Sequence, residues 1–285
     1  MTLPRPPSLP PAIICQLSLL GAGCAGTHAH KGPQAAEPAA PVCPAVGSEA
    51  AHRPIETPLR GELFRVPVTS MNRIEGGVLG DRHIIGFWLD ITEVTTAQYR
   101  DCVDAHVCPA PANTGEWSST YGEAGKQNHP VNQVSWFNAR TYCDWVGKRL
   151  PTEWEWEWAA RGRDHANIYP WGNEPPTAAS ACWHRYDWDT DTGGGPCPVG
   201  THNQTRDGIK DMAGNVWEWT ASEFGDGRVV LRGGDWHNDD PTRLRAASRG
   251  KNTPYDRSSG GDGIRCASST PPGELTTRIA PVHDG

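Results

Sequence analysis

The sequence predicts an α+β domain dominated by loops, with a few short helices and short strands. Three observations carry this. Gly and Pro together make 58 of 285 residues, more chain-breaking residues than a helix bundle or a regular barrel accommodates. Thirteen tryptophans supply large rings to tie such loops together by aromatic packing. The periodic runs are short, and they are of both helical and extended kinds.

The elements follow in order. Residues 62–66 (ELFRV) and 83–91 (HIIGFWLDI) combine β-branched and aromatic residues and read as strands. Thr95-x-x-Gln98 has the capping-box pattern, in which side chains satisfy the backbone N–H groups left free at a helix start. It predicts a helix over 95–105 with Tyr99, Cys102 and Val103 on one face. Ser135 predicts a second helix running to about Val146, ended by Gly147. Thr152-x-x-Glu155 opens a third, 152–161, ended by Gly162. Trp154 and Trp158 lie four apart and share a face of it. Beyond 165 the expectation is loops with short strands at 196–200 and 228–232. No internal repeat is present. The folded domain is expected over 61–269, followed by a polar, disordered tail at 270–285.

The net charge is −7 and 21% of residues are charged, with no basic block. Nucleic acid is therefore not an expected partner. No apolar run reaches the ~18–20 residues of a membrane span. Residues 12–24 (AIICQLSLLGAGC) instead have the length of a signal-peptide core, preceded by Arg5. Small residues lead into Cys24, so residues 1–24 read as a lipoprotein-type signal peptide with Cys24 as the lipidated residue. Gly21 stands where an aliphatic residue is usual, and an ordinary signal cleaved near Ala22 or Ala25 is the alternative. Residues 25–60, rich in Ala, Pro, Gly and His, read as a flexible tether. The expected location is the bacterial cell envelope, lipid-anchored or secreted to the periplasm.

Cysteine spacing agrees with export. Cys102 and Cys108 close one short loop, and Cys182 and Cys197 close a second, rich in Asp and Gly. Such pairs are common in oxidising compartments and uncommon in the cytosol. Cys43 is left over, either free or paired with another chain.

Four longer motifs stand in order: GKRLPTEWEWEWAARG at 147–162, GIKDMAGNVWEW at 208–219, VVLRGGDW at 229–236 and GIRC at 263–266. With EVTTAQY at 93–99, they resemble the sulfatase-modifying-factor family, that of the formylglycine-generating enzyme, over roughly residues 83–267. The resemblance implies an irregular α+β fold with small antiparallel sheets, related to C-type lectins. It implies a bond between Cys143 and Cys266. A second family bond matches Ala160 and Ala246 and is absent as a unit.

The family's enzymes bind Cu(I) through two thiolates shortly after the GG pair, soft ligands for a soft ion. Here Gly233–Pro254 holds no Cys and no Met. Copper and formylglycine generation are accordingly not expected, which makes the chain a pseudoenzyme by this reading. His237 with Asp239 and Asp240 offers harder ligands for a divalent ion; a polar loop at the rim of the former active site is the plainer reading. The resemblance also implies a structural calcium on the side chains of Asp211 and Glu218 and the carbonyls of Gly214 and Val216, a set of hard oxygen ligands. Most tryptophans of the motifs are expected in the core, but Trp217 matches a residue lining the family's cleft. Trp217, Asp235, Trp236 and His237 are the candidate cleft residues. The expected function is a non-catalytic module of the envelope that binds a peptide, protein or glycan. An oxidoreductase with an altered metal site and a structural envelope component are the alternatives.

Overall fold

A computed structural model describes residues 63–65, 70–112, 118–187, 192–257, 259–273 and 277–279. The expected signal peptide and tether, with Cys24 and Cys43, lie outside the described residues.

Three helices form where caps predict them: α1 Thr96–Asp104, α2 Trp136–Trp145 and α3 Glu153–Ala160. Each opens on a reciprocal capping box, Thr95 with Gln98, Ser135 with Asn138 and Thr152 with Glu155. Gly147 and Gly162 follow α2 and α3 at φ of 77° and 66°, a left-handed conformation that costs Gly little.

The strands depart more from expectation. Besides β1 (Leu63–Arg65), the N-terminal part holds β2 (Met71–Ile74), β3 (Gly77–Leu79), β4 (Arg82–Ile84) and β5 (Phe87–Asp90). The expected strand 83–91 is therefore broken at Ile85 and Gly86. The backbone of Gly76 packs against Ile84–Gly86 too closely for a Cβ, and Ile85 turns outward, 86% exposed. No strand forms at 196–200; a two-residue pair, β6 (Tyr186–Asp187) and β7 (Thr192–Gly193), lies upstream.

β8 (Trp217–Gly225) is the longest strand and was not expected; β9 (Arg228–Arg232) was. Asp226 and Gly227 join them at φ of 54° and 77°. Two positive values suit the Asp-Gly hairpin turn whose twist matches the strands. β10 (Gly250–Asn252) pairs antiparallel with β9, and β11 (Asp262–Gly263) pairs parallel with β8. That parallel pair is an exception to the expected antiparallel sheets. β12 (Ala267–Ser268) and β2 flank β5 in a three-stranded sheet. Within the tail expected to lack order, β13 (Thr277–Ile279) pairs antiparallel with β1.

Two main apolar clusters result. One packs Tyr99, Tyr142, Trp219 and Ile264 around Cys143 and Cys266. The other packs Phe87, Leu89, Trp156, Trp158, Ala160 and Ala246, so the two alanines matching a family disulfide fill one core. Burying a Trp ring of ~150–250 Å² at ~25 cal/mol/Å² contributes about 4–6 kcal/mol before entropy is counted. All three expected disulfides are present: Cys102–Cys108, Cys143–Cys266 and Cys182–Cys197. The second closes 123 residues of sequence, and loop entropy gives it the largest stabilisation, about 5 kcal/mol.

Candidate functional site

The site is built on the end of β9. Arg232 is fully buried and donates to Glu157 at 2.7 Å and Glu153 at 3.2 Å. It also donates to the carbonyls of Ser248 and Ala246 at 2.9 and 3.3 Å. The first charge of the RGG motif is thus an anchor between α3 and the 246–248 segment. Gly233 and Gly234 follow at φ of 103° and 77°. A Cβ on Gly234 would meet Leu244 Cδ2 at 2.8 Å, so the chain leaves the sheet there in one fixed direction.

Asp235, the next residue, is buried. Its Oδ1 accepts from Asn238 N at 3.1 Å, and its own N–H donates to Asn238 Oδ1 at 3.2 Å. Its Oδ2 lies 3.4 Å from His237 Nδ1 and presses on Gly261, where a Cβ would collide with it. Trp236 is fully buried, packs on Cys182 and Cys197, and donates to Gly260 O at 3.2 Å. The His237 ring stacks on it at 3.7 Å. Trp217 is 8% exposed, and Gly250 lies against its ring closely enough that a Cβ would sit 3.0 Å from it. The two tryptophans expected to wall a cleft are therefore core residues. Adjacency to the motif in sequence did not reveal which way each ring faces.

Asp239 and Asp240 are exposed. Asp240 caps the turn Pro241–Leu244, accepting from Thr242 N at 2.9 Å and its hydroxyl at 2.6 Å. His237 faces Asp235 instead. Among the described residues no group of three or more His, Cys, Asp or Glu is placed to hold a metal. Every described cysteine is in a disulfide, so no described thiol fits Cu(I).

The two carboxylates of the expected calcium set are engaged by protein donors. Asp211, Val216 and Glu218 are all buried. Asp211 accepts the N–H groups of Gly200 and His202. Glu218 accepts from Arg265 Nη2 at 2.8 Å and Nε at 3.0 Å, and from Trp156 Nε1 at 2.5 Å. Arg265 is fully buried, donates also to Asp90 O and Lys210 O, and lies 3.8 Å from Glu93. Burial raises the Glu93 carboxyl well above the usual range, as does Asp211, while Arg265 opposes them. The guanidinium is already the counter-charge of these acids, and their oxygens do not fit a calcium as they stand.

Sequence reasoning missed a group on the following loop. Asn252 Nδ2 donates to Asp256 at 2.7 Å and to Asp262 at 3.0 Å. Asp262 is 3% exposed. Burial pushes its carboxyl up to about 7, helped by the charges of Asp235 and Asp256 and opposed by hydrogen bonds from Asn252 and Ser259. Asn252 thus links the Asp256 and Asp262 carboxylates, and Asp235 lies near enough for its charge to act on Asp262. Beside them, Trp136 N donates to Pro254 O at 3.2 Å. That bond brings Tyr255 against Phe137, with ring centroids 5.0 Å apart.

Residues 70–270 match the model of the sulfatase-modifying factor enzyme 1-like domain. The chain is 43% identical over 164 residues to the inactive C-alpha-formylglycine-generating enzyme 2 of Bos taurus, covering 53% of this chain and 54% of that protein. It is 39% identical over 171 residues to the formylglycine-generating enzyme of Streptomyces coelicolor, covering 50% and 54%. It therefore spans about half the length of these relatives. The crystal structure of CarF superposes with a TM-score of 0.60 at 20% identity, over 72% of this chain and 99% of that one, a likeness of fold.

Proposed function

Because the chain belongs to the sulfatase-modifying factor enzyme 1-like family, we propose that it is an exported, non-catalytic member that binds a peptide or glycan. One observation carries this reading. The segment after the GG pair holds no thiol, and the buried carboxylate of Asp235 is fixed there by Asn238 and Gly261. Two-thiolate copper chemistry has no ligands in that segment. The name of the Bos taurus relative, an inactive enzyme of this type, agrees with it. Three disulfides among the described residues favour an oxidising compartment, and with the N-terminal pattern they support an envelope location with Cys24 lipidated.

The test is an oxidase assay on the full chain with Cu(I), oxygen and a Cys-x-Pro-x-Arg peptide, read by mass spectrometry for conversion of thiol to aldehyde. The expected result is no conversion by folded protein with its disulfides intact. Conversion refutes the reading and returns the chain to the oxidoreductases. Calorimetric titration with a panel of peptides and glycans separates a binding module from a purely structural component. The former keeps measurable affinity for some peptide or glycan; the latter binds none and co-purifies with an assembly.

A further inference from the structure

The three disulfides sit in different surroundings. Cys102, Cys108, Cys143 and Cys266 all belong to the largest apolar cluster, among Tyr99, Tyr142 and Trp219. Cys182 and Cys197 lie outside it, and the one buried side chain grouped with them is Trp236. Opening their bond therefore disturbs little apolar packing, and a local opening costs less than unfolding the domain. Cys182 also forms part of the wall of a cavity of about 360 Å³, together with His184, Arg185, Gly194 and His202. Arg185 is fixed on that wall. Its Nε donates to Gly195 O at 3.0 Å, and its guanidinium lies so close over Gly194 that a Cβ there would collide with it. A guanidinium in such a cavity favours thiolate over thiol, and access and thiolate content set the rate of disulfide exchange.

The same disulfide buttresses the segment that follows the GG pair. Cys182 O accepts Asn215 N at 2.7 Å, and Asn215 O accepts Trp236 N at 3.0 Å. Trp236 O accepts Arg185 N and Asn238 O accepts His184 N, both at 2.9 Å. From the other half of the disulfide, Cys197 N donates to Asn215 Oδ1 at 2.8 Å. We propose that Cys182–Cys197 is a thiol-exchange site, open to a small thiol through the cavity, whose redox state sets the order of Trp236–Asn238. The inference goes beyond the binding reading and holds whether or not this segment takes a ligand. A thiolate attacks Cys182 Sγ; a new S–S bond forms, the Cys182–Cys197 bond breaks, and its electron pair leaves on Cys197 Sγ, which takes the proton the attacking thiol gave up to solvent. A second thiolate attacks the small-thiol sulfur of the mixed disulfide and releases Cys182 in the same way. Two small thiols are thus oxidised to one disulfide, and the protein disulfide is reduced to two thiols. A small-molecule disulfide reverses both steps. In the reduced chain Trp236 loses the bonded sulfur pair it packs on, and the hydrogen bonds between 182–185 and 236–238 lose their clamp.

Incubating the full chain in reduced glutathione under native conditions, with samples taken over time, tests this. Free thiols are trapped with N-ethylmaleimide and each cysteine is read by peptide mass spectrometry, with Cys15, Cys24 and Cys43 scored on their own peptides. Cys182 and Cys197 are expected to take label at least about tenfold faster than Cys102, Cys108, Cys143 or Cys266. Cys197→Ser, exposed to oxidised glutathione, is expected to carry glutathione on Cys182 while α1–α3 stay protected from hydrogen exchange. In the reduced native chain, amide exchange should quicken at His184, Arg185, Asn215 and Trp236 and stay unchanged in the three helices, and oxidised glutathione should restore it. Reduction of another pair first, or of all six cysteines together with loss of the fold, overturns the proposal. So does selective reduction that leaves exchange at Trp236 unchanged. Should Cys197→Ser not fold, the labelling order and exchange pattern of the wild-type chain decide alone.

Discussion

Asp262 makes the stability of this domain depend on pH in an unusual direction. A buried carboxyl carried from 3.8 to about 7 holds its proton in the folded chain where the unfolded chain has lost it. Its contribution is therefore favourable below about pH 4 and declines as pH rises through 7, opposite to a salt-bridged aspartate. The full difference between 3.8 and 7 corresponds to about 4 kcal/mol. Relaxation of the loop and entry of water reduce it to about 2–4 kcal/mol. Asp262→Asn keeps the size and the acceptor for Asn252 while removing the charge. The two proteins should melt alike near pH 4, and the variant about 5–15 °C higher at pH 8. Thermal melts at pH 4.5, 6, 7 and 8, taken as the difference between wild type and variant, isolate this group from other acids. Parallel curves across that range would refute the buried, proton-holding Asp262.

Three other predictions follow from the same geometry. Gly261→Ala drives a Cβ into Asp235 and should cost about 1–3 kcal/mol; adding Asp235→Ala should recover much of it, and equilibrium unfolding of both variants reads the coupling. Arg265→Met leaves Glu218 and Glu93 buried without their counter-charge and should cost about 3–5 kcal/mol, measured by urea unfolding; a loss under 1 kcal/mol would show that another cation serves the site. Because Arg265 already balances Asp211 and Glu218, millimolar calcium and EDTA should give the same melting temperature, and a calcium-dependent rise would restore the metal to the Asp211–Glu218 segment.

What the sequence made legible was local or motif-borne. Capping boxes are written within four residues, and all three helices begin where Thr95, Ser135 and Thr152 place them. Cysteine pairs across short loops were readable for the same reason. β8 was not, because its first four residues are all buried before alternation begins at Ala221, so the period of two is absent where the motif is strongest. The segment 196–200 looked extended but has Pro196 and Pro198, which lack N–H groups. Its remaining donors go singly, Cys197 N to the Asn215 side chain, Val199 N to Asn128 O and Gly200 N to the Asp211 side chain. The carboxylate group at the candidate site was hidden because it is assembled from separate loops, Asp235 from one and Asp256 and Asp262 from another.

The position of residues 262–268 bears on how the chain reaches its fold. β11 lies beside β8, and β12 beside β5. Asp90 N bonds Cys266 O, and Val94 N bonds Ile264 O. Residues 262–268 thus supply an edge strand to each of two sheets, and β12 completes the one whose other strands, β2 and β5, lie much earlier in the chain. Contacts so distant in sequence slow folding, since loop closure must come before they form. A ribosome-bound chain stopped before Asp262 would have its three helices but neither sheet complete, and Cys143 would have no partner.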